Sequence, residues 1–149
     1  MSETKESQRL RYPLPVYNFR VTVDGQAMSF AEVSGIAVNY ESVTYRHGLS
    51  FLEGERIQTF AYDRFMPITL KRGTILGAQP TFLYDWLTQR DLRSLVVSLC
   101  DEKGIPVFSW KVAAAVPVSL KAPAFSATAK DVAIDSLELQ ARGVTVEKI

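Results

Sequence analysis

"FAEVSGIAVNYESVTYRHG", residues 30–48, alternates like a β-strand yet offers no clean apolar face. Past Ser34-Gly35, one side of an extended chain carries Val38, Tyr40, Ser42, Thr44 and Arg46, and the other carries Ala37, Asn39, Glu41, Val43 and Tyr45. A strand that faces water on one side should be polar there, and a strand packed in a monomer's core should be apolar on its inner side. Residues 37–46 satisfy neither rule. Interfaces combine aromatic anchors with satisfied polar groups, and long exposed edges invite pairing with another chain. The stretch therefore predicts an oligomer assembled through β-structure, with Val38, Tyr40, Tyr45 and Arg46 as candidate interface residues.

Downstream, from His47 to about Asp63, the periodicity is lost, with Gly48 and Gly54 set among Phe51, Leu52, Ile57 and Phe60. A loop of that length is longer than most. It reads either as a functional or mobile excursion, with Phe51 and Phe60 added to the candidate interface, or as a surface loop pinned by its own hydrophobics.

Upstream, Tyr17, Phe19, Val21 and Val23 alternate with Asn18, Arg20 and Thr22, which predicts a half-buried strand. Asp24-Gly25 is a turn pair that tolerates positive φ, so the chain should turn back into "AMSFAEVSG" as a hairpin. "MPITLKRG" (66–73) gives a short strand. "PTFLYDWLTQRDLRS" (80–94) is the one convincing helix: Phe82, Leu83, Trp86 and Leu87 recur at helical spacing, and Pro80 suits its first turn. Arg90 and Arg93 are placed to complement the C-terminal end of its dipole.

"SLVVSLCDEKGIPVFSWKVAAAVP" (94–117) reads as two strands around the turn Asp101–Gly104, with Pro106 at a strand start or edge. A Pro/Ala/Ser-rich link, 117–130, leads to a last strand. There Val132, Ile134, Ser136, Leu137 and Leu139 show one phase slip that a bulge near Ser136 would absorb. Seven or eight strands, one helix and no strand–helix alternation give a mainly β class, a small antiparallel β-barrel or sandwich with one flanking α-helix.

The totals agree with a single domain, 1–149, with 1–11 as a polar tail: 149 residues, 47% hydrophobic. Seventeen basic against sixteen acidic residues leave a net charge of +1, so no global field draws the chain toward nucleic acid or an anionic membrane. The N-terminal "MSETKESQRLRYPLP" is polar where a secretory signal needs an apolar stretch, and no run approaches the about 18–20 apolar residues of a membrane helix. Folding in the cytosol, with no signal peptide and no stable membrane insertion, is the expectation.

Chemistry is sparse. The single Cys100 rules out an intrachain disulfide and the usual cysteine-based metal site. His47 is the only histidine, set in a glycine-flanked turn with no Ser or Cys signature nearby, and two-histidine zinc patterns are excluded by count. "KRGTILGAQPT" has its lysine ahead of the glycines and no Gly-Lys-Ser/Thr, so a strand end and helix entry explain it better than a phosphate loop. Glu53, Glu55 and Asp63 are scattered through a loop rather than held on rigid elements. No catalytic residue, cofactor or metal is expected.

The joint order of "FAEVSGI", "YRHG", "ITLKRGT", "YDWL", "VVSLCDEKGIPVFSWKV" and "SLKAPAFSATAKDVAIDSLELQARGV" resembles the inner-tube proteins of contractile tails, over residues 12–146. That group includes T-even-type phage tail tube proteins and the tube subunits of extracellular contractile injection systems. The resemblance implies a small β-barrel or sandwich with one helix, six copies closing into a ring, and rings stacking into a hollow tube. It implies as partners other copies of the chain, the sheath, the baseplate hub or spike, the tube cap and cargo in the lumen. It also implies assembly in the cytoplasm and a place in a phage tail or released particle. The strand beginning near Ile36 would then join neighbours around the ring and line the channel. Between Gly48 and Met66 the chain departs from its relatives, reading "LSFLEGERIQTFAYDRF". Two rivals stand beside this reading: a monomeric β-barrel binding a small apolar ligand, and an enzyme using Asp63 or Glu53 as an acid.

Overall fold

A computed structural model describes residues 12–38, 40–45, 56–61 and 65–149. Among them the chain forms β1 (Phe19–Val23), β2 (Gln26–Met28), β3 (Glu32–Ser34), β4 (Tyr40–Tyr45), β5 (Arg56–Ala61), β6 (Met66–Gly73), α1 (Phe82–Gln89), β7 (Arg93–Cys100), β8 (Pro106–Lys121) and β9 (Ile134–Lys148). Seven strands make one antiparallel sheet in the order β2-β1-β7-β8-β9-β6-β3, and β4 with β5 makes a separate two-stranded ribbon.

The sheet's connectivity dictates its shape. Its two edge strands, β2 and β3, are joined by residues 29–31 alone. Four residue steps span at most about 14 Å, whereas seven flat strands would set the edges about 29 Å apart. The sheet must therefore curl until its edges nearly meet. Among the described residues β2 and β3 do not hydrogen-bond to each other, so the barrel keeps an unzipped seam, with the buried Phe30 of the short link packed into the core beside it.

The expected first hairpin forms. Asp24 and Gly25 both have positive φ, 50° and 79°, the pattern of a primed two-residue turn. Asp24 also ties the turn to β7: its N–H donates to Ser94 O at 3.0 Å, and its Oδ1 accepts from Ser94 N–H at 2.9 Å. The segment 27–35, however, is not one returning strand. It divides into β2 and β3, which lie on opposite edges of the sheet.

Alternation fills the barrel. Ile68 and Leu70 on β6 face Leu139 and Leu137 on β9 across the ladder, and Val21 and Val23 on β1 face Val97 and Leu95 on β7; all are buried. Each such side chain contributes about 1.5–3 kcal/mol relative to exposure. The helix packs against β8 through its buried face, Leu83 and Trp86. Trp86 has no exposed surface, and its indole N–H donates to Asp91 O at 2.9 Å, so the largest core side chain leaves no polar atom stranded.

Several expectations are corrected. The region 47–63 is not wholly aperiodic: Arg56–Ala61 is a strand pairing Tyr40↔Ala61 through Tyr45↔Arg56, and the polar pair Gln58-Thr59 masked its alternation in the sequence. The strand expected near Ile36 starts at Tyr40, because Gly35 (φ 96°) turns the chain and residues 35–38 are not strand. An added Cβ at Gly35 would lie 2.5 Å from Pro67 O, so both the dihedral and the space demand glycine. The supposed link at 117 is still strand: β8 runs to Lys121, and Pro117 is accommodated beside the irregularity that leaves Val118 without a cross-strand partner. No bulge lies at Ser136: β9 pairs with β6 without a break from Ile134 to Ala141, so Ile134 and Ser136 take the face opposite Leu137 and Leu139, and Val132 lies outside β9.

At the helix, Pro80 precedes the N-cap residue Thr81 instead of opening the first turn. Arg90 is the left-handed cap (φ 56°), its N–H donating to Trp86 O at 2.9 Å. Arg93 lies on β7, with its guanidinium 5.5 Å from the Phe82 ring centroid and 5.3 Å from that of Trp86, bonded to Gln89 Oε1 at 2.9 Å. Arg93 thus clamps the helix onto the sheet through its aromatics.

Candidate functional site

The residues expected at an interface fall in or beside the ribbon. Val38 is half exposed in the segment that leaves the barrel at Gly35. Tyr40 and Tyr45 are the two ends of β4, and Phe60 on β5 stands opposite Glu41 in the register. Arg46 and Phe51 lie outside the described residues, as do His47, Glu53 and Asp63. The ladder thus brings Tyr40, Tyr45 and Phe60 onto one two-stranded arm. Among the described residues that arm pairs with no strand of the large sheet.

The seam supplies a second surface that the sequence reading did not single out. Thr22↔Ala27 lies between the pairs Val23↔Gln26 and Val21↔Met28, and in a two-residue hairpin these outer pairs carry the mutual hydrogen bonds. The N–H and C=O of Ala27 therefore point away from β1, off the free edge. Two open cavities flank this seam. One, about 600 Å³, is largely apolar and lined by Tyr17, Phe19, Val33, Val97, Leu99 and Trp110. The other, about 620 Å³, takes Arg20 and Arg72 together with Met28, Phe30, Gln79 and Cys100. Tyr17, Leu76 and Phe125 are each more than four-fifths exposed.

The β2 edge was hidden in the sequence because "AMSFAEVSG" looks like one strand. Arg72 was legible: it continues the period-two series Ile68, Leu70, which places it on the inward face.

No group of three His, Cys, Asp or Glu among the described residues could hold a metal ion. Cys100 is a buried free thiol, and Ser98 and Ser109, also buried, share a hydrogen bond of 2.8 Å across the β7–β8 ladder. Arg142 covers the half-exposed Phe65, its guanidinium 5.3 Å from the ring centroid. No helix among the described residues is long and apolar enough to cross a membrane.

A family model for the T4-like virus tail tube protein gp19 matches residues 15–145. The chain belongs to that tail tube family. Among solved structures, this tail tube chain is similar to one in the PVC sheath–tube complex of an extracellular contractile injection system in its extended state. The two are 28% identical, with a TM-score of 0.87 over 99% of this chain and 100% of that one. A chain of the PVC sheath/tube terminator in the extended state is 30% identical, with a TM-score of 0.77 over 93% and 99% of the two chains. The Hcp1 protein of Flavobacterium johnsoniae, 16% identical with a TM-score of 0.55 over 88% and 97%, shares the fold. No curated protein matches the chain. The tail tube reading of the sequence and its mainly β class both hold, with the barrel left unzipped between β2 and β3.

Proposed function

We propose that the chain is the structural subunit of an inner tube: six copies close into a ring, rings stack into a hollow shaft, and a contractile sheath surrounds it. The observation that carries this is the tail tube family match over nearly the whole chain. The geometry supports it independently, because among the described residues a barrel with two unpaired edges and an arm that pairs only with itself present β-structure open to further strands. The fit to the sheath–tube complex chain, closer and more complete than that to the terminator chain, favours a place in the repeating shaft.

In this role the protein is scaffolding and performs no catalysis. Its partners are other copies of itself, the sheath, a baseplate hub or spike, a terminating cap and the cargo in the channel. It assembles in the cytoplasm and leaves as part of a phage tail or injection particle. Val38, Tyr40, Tyr45, Arg46, Phe51 and Phe60 are the proposed contacts between copies. Light scattering behind a sizing column, followed by negative-stain microscopy, tests the reading. Stacked rings with a central hole are expected; a folded monomer at every concentration overturns it. A monomeric ligand-binding barrel has less support, because the barrel interior is filled by side chains and both seam cavities are open to solvent.

A further inference from the structure

Arg72 interrupts the inward series of β6 with a charge. Ile68 and Leu70 precede it on the same face with no exposed surface, and Arg72 itself is only 8% exposed. Its Nη1 donates to Gln79 O at 2.7 Å and its Nη2 to Ala78 O at 3.1 Å, both neutral acceptors. Its Nε is fully buried and has no partner. Asp135 stands opposite Arg72 in the β6–β9 register, yet no ion pair forms between them. A buried guanidinium with an idle donor and no paired anion is an unfavourable state for a finished surface. The surface is finished elsewhere.

The 620 Å³ cavity that Arg72 lines also receives Arg20, an exposed side chain whose Nη2 donates to Gly104 O at 3.0 Å, and no Asp or Glu lines it. The free edge of β2 forms part of the same wall, with the outward N–H and C=O of Ala27 along it. We infer that this cavity is a socket for a carboxylate on an extended segment of a neighbouring copy, which adds to the β2 edge and supplies the counter-charge to Arg72 and Arg20. The inference rests on the tube reading and names one contact within it.

Charge accounting within the subunit shows which acids are available. Glu32 pairs with Lys71, Glu147 with Lys111 and Asp91 with Arg93, while Asp85 accepts from Thr81. Glu102 sits on the same turn as the lining residue Gly104 but does not itself line the cavity. A head-to-tail ring contact joins two different patches, so the acid comes from another face, where among the described residues Asp131 and Glu138 have no partner of their own.

The test uses the full chain and three variants, Arg72→Met, Arg20→Glu and Ala27→Pro, with assembly followed by light scattering and micrographs and the monomer by thermal melting. Each variant is expected to raise the concentration needed for assembly by about tenfold or more. The Arg72→Met monomer should melt no lower than the parent, because the carbonyls it releases lie in an exposed loop that water can reach, and a buried charge is removed. A purely structural arginine predicts the reverse, a lower melt with normal tubes. That result, or an Asp135→Asn variant that lowers the melt as much as Arg72→Met, overturns the socket while leaving the tube reading intact. A parent chain that never assembles overturns both.

Discussion

The seven-stranded sheet and the β4–β5 ribbon obey different rules. In the sheet the apolar inward positions have their reason inside the subunit, Arg72 standing apart as the charged exception: Leu70 meets Leu137, Ile68 meets Leu139, and Val21 meets Val97. Among the described residues the ribbon has only its own ladder, six paired residues on each side, and a lone two-stranded hairpin is at best marginally stable in water. On the proposed reading, the apolar core of the sheet folds the subunit and the ribbon serves contact between copies. Substitutions in the sheet's apolar core should lower the melting temperature, and those in the ribbon should abolish assembly and leave melting alone.

The largest effect is expected at the centre of the sheet's packing. Trp86→Ala removes a fully buried indole and should cost about 3–5 kcal/mol, a fall of about 10 °C or more in a domain of this size. An unchanged melt would show that the helix is not fastened to the barrel as described. Next comes the junction of the two regions. Gly35→Ala forces a side chain into a positive-φ position against Pro67 O, and a loss of about 1–3 kcal/mol is expected by urea unfolding. If stability is unchanged but assembly fails, Gly35 serves to aim the arm and not to seat β3.

How much of this was legible divides along the same line. Strands of the sheet announced themselves by alternation, as did the hairpin at Asp24-Gly25 and the helix carrying Trp86, because burial inside one chain writes a period into it. What was missed is what depends on partners distant in the chain. "AMSFAEVSG" looks continuous, and nothing local says that Met28 and Glu32 sit on opposite edges of a curled sheet. A bulge was expected near Ser136, but β9 runs unbroken there and Ile134 and Ser136 take its other face, while the irregularity at Val118 on β8 left no such sign. Arg93 looked like a dipole partner, and only the fold brings it over Phe82 and Trp86. The ribbon residues proposed as contacts, Tyr40, Tyr45 and Phe60, rest on a different signal: β4 shows a periodicity that burial in one chain does not explain, and Phe60 comes from the aperiodic stretch after it.

A smaller effect within the sheet sharpens the contrast. Arg93→Gln removes the charge over two rings and weakens the bond to Gln89, so about 0.5–2 kcal/mol should be lost while assembly persists. A loss of tubes without a loss of stability would move Arg93 from the fold to the interface.

The smallest expected effect on stability is the most informative. Tyr40→Asp combined with Tyr45→Asp places two charges on the arm, whose strand meets only β5 among the described residues. Subunit stability should stay within about 0.5 kcal/mol of the parent, as for surface positions away from packed features. Ring closure should fail, because an uncompensated carboxylate in a desolvated contact costs far more than the tyrosine contributed. A drop in melting temperature would mean that the arm packs on its own barrel, and normal rings would remove both tyrosines from the contact. Only unchanged melting with lost rings preserves the distinction between a sheet core that folds the subunit and a ribbon that recruits the next one.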